Sequence, residues 1–245
     1  MEQKIFQAAE WILADCKEAE ICDRYFEYRA AFIADPDSTT KMYISANSQY
    51  AVYVNDCFVD CGQYDDYEDH KVYDTLDITA YLKNGENDLY IGHYVCGGDF
   101  FARRKQVSGI IFDIWSGEQN VLSSNPTILS RENKHFLKNA EAISGQIGYN
   151  FEYDATTTEA EYRQSVPAEK DKNLFARPVK KLQMKPFQTA ELKADGVFLE
   201  YDALLSKARR MQSAYLSAGA REDSYVKEEK HSGKSIVSWS VPKET

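Results

Sequence analysis

From residue 40 onward, apolar and polar positions alternate in short runs separated by turn residues. Thr40, Lys41, Met42, Tyr43, Ile44, Ser45 and Ala46 alternate as a half-buried strand does. Residues 50–54 form a second run, aromatic and β-branched. Asn55 and Asp56 then carry a tight-turn signal and 57–59 continue beyond it, which predicts a hairpin. Further strands are predicted over 88–94, 108–115 and 120–123, with Ser116, Gly117, Glu118 and Gln119 as the turn between the last two. Residues 146–153 alternate again, and a strand is expected over 179–184 after Arg177 and Pro178. Helical structure is expected only in short pieces: a turn over 77–82 capped by Asp77, one over 130–137, and a short helix over 157–164. Residues 7–13 read equally as a short helix or an extended lead-in. Many short strands at this spacing, without long helices between them, predict a mainly β chain. The expected architecture is a β-sandwich (jelly-roll, galactose-binding-like) with short helices and a C-terminal extension.

The last 45 residues differ from the rest. From Tyr201 on there are eight basic and six acidic residues, whereas the first 200 hold 21 basic and 33 acidic ones. Asp202 is a candidate cap for a helix running to Gly219, with Leu204, Ala208, Met211 and Tyr215 on one face. Residues 236–241 read as one more strand. The expected organisation is a sandwich over 1–195 and a divergent tail, or the start of a second domain, over 196–245.

Composition narrows the function classes. A net charge of −10 over 245 residues argues against a protein that tracks nucleic-acid phosphates. No stretch approaches the roughly 20 apolar residues of a membrane-spanning helix. Glu10, Asp15 and Lys17 interrupt any signal-like run, so the chain reads as cytoplasmic as given, or as secreted or periplasmic if a leader has been lost. The five cysteines, Cys16, Cys22, Cys57, Cys61 and Cys96, are an odd count and not a disulfide framework. Cys57-x-x-x-Cys61 has no partner pair at zinc spacing, so the cysteines read as free thiols and no metal ligands are assigned.

Residues 50–98 carry the most information. They read Tyr50-x-Val52-Tyr53-Val54-Asn55, then Gly62, Tyr73-Asp74 and Asp77-Ile78-Thr79-x-Tyr81-Leu82. Gly85-x-Asn87-x-Leu89-x-Ile91 and Gly97-Gly98 follow. This series resembles the N-terminal β-sandwich region of bacterial α-L-rhamnosidases and related modules of other glycosidases. Trp11-Ile12 and Phe26-x-x-Arg29-x-x-Phe32 look like that family's opening. Tyr153-Asp154-Ala155 and Arg177-Pro178-x-x-x-Leu182 look like its link toward the next domain. Where the family pattern has a glycine after the asparagine, this chain has Asp56, a residue that still tolerates a left-handed turn. The resemblance spans roughly residues 5–195.

What the resemblance implies is a non-catalytic sandwich. The family hydrolyses terminal α-L-rhamnose by an inverting two-carboxylate mechanism, and its acid pair sits in a downstream helical barrel. No catalytic residue is assigned here, and the chain alone is expected to be inactive, a fragment or truncated product whose partner is that catalytic domain. Two alternatives stand beside this one: a free-standing carbohydrate-binding module and a structural docking domain. For saccharide binding the candidate residues are Tyr64, Asp65, Asp66 and Tyr67 in one acidic, tyrosine-rich loop, and Asp99, Phe100, Phe101 and Arg103 in another. Aromatic faces stack on sugar C–H bonds, and carboxylates accept from hydroxyls. The same carboxylates are a candidate Ca²⁺ site, although their spacing matches no EF-hand; no other cofactor is expected. The competing reading of both loops is plain solvated surface.

Overall fold

The structure, a computed structural model, describes residues 5–16, 21–64, 66–100, 105–138, 140, 142–146, 148–170, 172–182, 191–198 and 234–240. Its first unit is Met1–Lys181. In chain order the strands of this unit are β1 (Ile12–Leu13), β2 (Arg24–Ile33), β3 (Thr40–Ala46), β4 (Gln49–Val54), β5 (Cys57–Gly62), β6 (Lys71–Asp77), β7 (Glu86–Val95), β8 (Ile110–Ser116), β9 (Gln119–Ser123), β10 (Leu129–Glu132), β11 (Ala142–Ser144), β12 (Gly148–Tyr149), β13 (Arg163–Gln164), β14 (Val166–Pro167) and β15 (Leu174–Ala176). Among the described residues one sheet runs β14-β1-β8-β3-β6-β15, with β9 also on β8, and the other runs β13-β10-β2-β7-β4-β5. Within these two sheets every pairing is antiparallel except β15 on β6. The second unit, Leu182–Thr245, contains an antiparallel pair, β16 (Glu191–Phe198) and β17 (Lys234–Ser240).

The period-two pattern explains the two-layer β-sandwich. Met42, Ile44 and Ala46 on β3 and Ile110, Phe112 and Ile114 on β8 project from one sheet. Tyr50, Val52 and Val54 on β4, Leu89, Ile91 and Val95 on β7, and Phe26, Tyr28 and Phe32 on β2 project from the other. All belong to one buried cluster. Each such side chain contributes about 1.5–3 kcal/mol by leaving water. The Asn55–Asp56 turn is tight and left-handed, with φ of 50° and 62°, the conformation a two-residue hairpin favours. The Asn55 amide donates to the Tyr81 carbonyl and to Asn87 Oδ1, both at 2.8 Å, and so ties the hairpin to the turn before β7.

The two outer faces are treated differently. Over the β1-β8-β3-β6 sheet, Phe6, Ala9 and Trp11 pack with Tyr43 and Ile111 in a second apolar cluster, which Leu174 and Ala168 extend. Residues 7–13 are thus the extended lead-in, not a helix. The outer face of the β2-β7-β4 sheet carries no such cover among the described residues, and a trough lies there.

Several expected elements take a different form. Residues 24–33 are a ten-residue strand that the pattern does not announce, because Arg24 and Glu27 are buried charges within it. Residues 71–77 are likewise strand, with Lys71 and Asp74 buried. Of the short helices, a 3₁₀ turn at Thr79–Tyr81 is present; the Asp77 carboxylate accepts the Thr79 N–H at 3.0 Å, but one residue ahead of the cap position, which Ile78 holds. Residues 130–137 begin as β10, because Leu129 to Glu132 pair with Arg29 to Phe26. Residues 157–164 are not helical: Asp154 draws the Thr156 N–H and hydroxyl into a local turn, and Arg163–Gln164 pair with β10. Residues 179–182 are not strand, and Val179 and Leu182 are exposed; 183–184 and the expected helix over 202–219 lie outside the described residues. The strand expected over 236–241 corresponds to β17, although Val241 lies outside.

Candidate functional site

Strand register builds the trough. On the open face, β7 lies between β2 and β4, and three cross-strand rows result. The first is Tyr25–Tyr94–Gln49, the second Glu27–Gly92–Ala51–Cys61, and the third Arg29–Tyr90–Tyr53–Phe58. Beyond Glu27 the middle row is small, and the outer rows carry two or three aromatic rings each, so a groove runs across the strands between two walls. The groove has a volume of about 450 Å³, within the range of small-molecule sites.

Each wall is braced by ring packing. Tyr25 and Tyr94 lie 4.6 Å apart, Phe136 stacks on Tyr25 at 3.9 Å, and Tyr153 meets Phe136 edge-on at 5.0 Å. Opposite, Tyr53 meets Tyr90 at 5.6 Å and Phe58 at 5.4 Å, both edge-on. Burial and the nearby Asp23 carboxylate push the Tyr25 phenol up to about 12. Burial also raises Tyr90 and Tyr94. Tyr25, Tyr90 and Tyr94 therefore stay uncharged at any ordinary pH.

Glu27 closes one end of the floor. Its carboxylate accepts from Arg131 Nε at 2.6 Å, Asn133 Nδ2 at 2.7 Å and the Tyr162 hydroxyl at 2.8 Å, and the Tyr90 hydroxyl also bonds it. Arg131 also pairs with Glu159. These donors hold the carboxylate as a fixed end wall. A second cavity of about 320 Å³ lies beyond the first wall and shares Tyr25, Gln49 and Tyr94 with it.

The residues singled out from the sequence fall in other places. Asp66 is committed within the fold: Oδ1 accepts Lys71 Nζ at 2.6 Å, and Oδ2 accepts the Val72 N–H at 2.6 Å and Gln63 Nε2 at 3.1 Å. Gln106 donates to the Asp66 carbonyl at 2.7 Å, so the acidic loop is fastened to the segment after the second loop. Tyr64 lies under the Arg177 guanidinium at 5.0 Å, and Tyr67 is exposed. Asp99 accepts the Lys105 N–H at 2.7 Å. Phe100 lines the second cavity, edge-on to Tyr149 at 5.1 Å. Tyr64, Asp66, Tyr67 and Asp99 line neither cavity. Asp65, Phe101 and Arg103 lie outside the described residues. Among the described residues no cluster of three or more His, Cys, Asp or Glu side chains is set to hold a metal ion. No helix among them is long and apolar enough to cross a membrane.

Sequence reading missed the trough because its rows come from four strands, one of which it did not foresee. The signal available was a glycine at position 92 inside an otherwise continuous strand pattern.

The fold is similar to parts of solved rhamnosidases. A GH78 family rhamnosidase of Bacillus sp. GL1 matches with a TM-score of 0.61 and 18% identity, over 77% of this chain and 21% of that one. An α-L-rhamnosidase from Aspergillus terreus matches with a TM-score of 0.56 and 17% identity, over 80% of this chain and 25% of that one. The chain thus spans a fifth to a quarter of the length of these enzymes. No protein-family model and no curated protein matches the sequence.

Proposed function

We propose that this chain is a non-catalytic β-sandwich of an α-L-rhamnosidase-like glycosidase, bracing or extending an active site carried by a separate catalytic domain. The observation that supports this reading is the extent of the likeness: most of this chain corresponds to about a quarter or less of each rhamnosidase. The carboxylates agree with it. Inverting hydrolysis needs two carboxyl groups about 6.5–9.5 Å apart with a water between them, one of them free to give up a proton. Glu27 is the one carboxylate among the residues lining the two cavities, and its oxygens are already filled by donors. The test is direct. The purified chain, incubated with an aryl α-L-rhamnoside across pH 4–8, is expected to release no more phenol than buffer does. Turnover at an enzyme-like rate overturns the proposal.

A further inference from the structure

Gly92 stands inside β7, a strand hydrogen-bonded on both sides. Glycine weakens a strand interior, since it has more backbone freedom to lose and no side chain to pack. Elsewhere the fold itself demands glycine: a Cβ on Gly97 would sit 2.0 Å from the Ile21 carbonyl oxygen, and Gly85 has a φ of +88°. Gly92 has neither reason. A Cβ there meets nothing nearer than the Tyr90 hydroxyl oxygen at 3.9 Å, and its φ lies outside the left-handed region. On the β4 side its neighbour Ala51, and Cys61 beyond it on β5, are small as well, while Glu27 stands on the β2 side. Packing within the sandwich does not require this open strip. A glycine in such a place marks the close approach of another molecule.

The surroundings specify that molecule. The walls are aromatic faces with hydroxyl tips, Gln49 offers an exposed amide at the rim, and the one carboxylate among the described lining residues is ion-paired with Arg131. A pyranose has the complementary surface: apolar C–H faces for the rings and hydroxyls that both donate and accept. A peptide fits less well. The backbone of β7 is already paired to β2 and β4, so this face offers no free edge for an added strand. The geometry points to a binding site for a neutral oligosaccharide, its chain lying along the strip from Cys61 to Gly92 with one end against Asn133 and Glu27. With strands roughly 4.8 Å apart, Cys61 and Gly92 are about 10 Å apart. A sugar ring built from bonds of about 1.5 Å spans roughly half that, so the strip takes about two sugar units. The site goes beyond the non-catalytic reading, and its floor at Gly92, Ala51 and Cys61 plays no part in that reading.

The full chain is titrated calorimetrically with cellotetraose, xylotetraose, mannotetraose and an α-linked rhamnotetraose, and with their monosaccharides. At least one tetrasaccharide is expected to bind, and its monosaccharide to bind about tenfold more weakly or worse. Gly92→Val, which fills the floor, is expected to weaken that binding at least about tenfold while the melting temperature holds or rises. Ala51→Leu does the same from the neighbouring strand, and Tyr53→Ala costs about tenfold. Amide chemical shifts of Gly92, Ala51 and Cys61 move on binding in the unaltered protein. Silence of all four tetrasaccharides at millimolar concentration overturns the site. So does undiminished binding by folded Gly92→Val and Ala51→Leu, or a set of shifts confined to the loop around Tyr64 and Tyr67. Equal affinity for monosaccharide and tetrasaccharide overturns the two-unit strip. Rhamnoside cleavage in the same samples would overturn the non-catalytic reading and leave this one standing.

Discussion

Lowering the pH from 7 to 5 is expected to destabilise the sandwich through one residue, His93. Its ring is buried between the sheets: Nε2 donates to the Asn47 carbonyl at 2.7 Å, and Nδ1 accepts from the Tyr28 hydroxyl at 3.4 Å. Burial, helped by the positive fields of Lys170 and Lys71, pushes its pKa from 6.5 down to about 4. The folded state therefore holds His93 neutral where the unfolded chain would protonate it. The unfolded state binds more protons between pH 6.5 and 4, so stability rises with pH across that window and is lost as pH falls through it. The fall from 6.5 to about 4 corresponds to roughly 3 kcal/mol, of which about 2 kcal/mol falls between pH 7 and pH 5. For a domain of this size that is a drop of roughly 4–8 °C in melting temperature. The assay is urea unfolding at both pH values for the native chain and for His93→Gln, whose amide still donates toward Asn47 but does not titrate. The native chain should lose the 2 kcal/mol and the variant should not. Equal losses refute the reasoning. So does an imidazole C–H resonance of His93 that titrates near pH 6.5 in the folded protein.

Two further substitutions test the packing. Asp66→Ala leaves the Lys71 ammonium, whose side chain is 2% exposed, with the neutral acceptors Ala46 O and Gln106 among the described residues. It should cost about 3–5 kcal/mol in urea unfolding, and Asp66→Ala combined with Lys71→Met should recover a large part of that; an additive double variant would show that the pair is not coupled. Asp56→Gly removes a non-glycine residue from a φ of 62° and should raise stability by about 0.5–1 kcal/mol, measured as a higher urea midpoint at unchanged slope.

Strand alternation over 40–54, the Asn55–Asp56 turn and the returning strands at 88–94 and 108–115 were legible because their signals are local. Side chains two residues apart share a face whatever lies opposite, and Asn and Asp accept a positive φ in any sequence. The likeness to a rhamnosidase sandwich came through the same local signals. Residues 24–33 and 71–77 escaped because their alternation includes Arg24, Glu27, Lys71 and Asp74. Glu132, Arg131 and Arg177 reach three of those charges from distant parts of the chain, and Asp66 reaches Lys71 across a turn of five residues. Asp66 itself looked like a ligand-binding carboxylate, and only the arrival of Lys71 beside it shows where its oxygens are spent.

The sequence alone determined that this chain is a β-sandwich: period-two patterning and turn chemistry act over a few residues and need no partner. A glycine at position 92 inside the strand pattern is also written in the sequence, but nothing local says why a strand should tolerate it. Tertiary structure decided the rest. Register placed Gly92 beside Ala51 and Cys61, set Tyr25 and Tyr94 against Tyr53 and Tyr90, and left that face open while the N-terminal segment covered the other. A groove that joins strands as far apart in sequence as β2 and β7 has no local signature. Its shape follows from which strands pair, and that choice is made by the burial of the whole core rather than by any one segment.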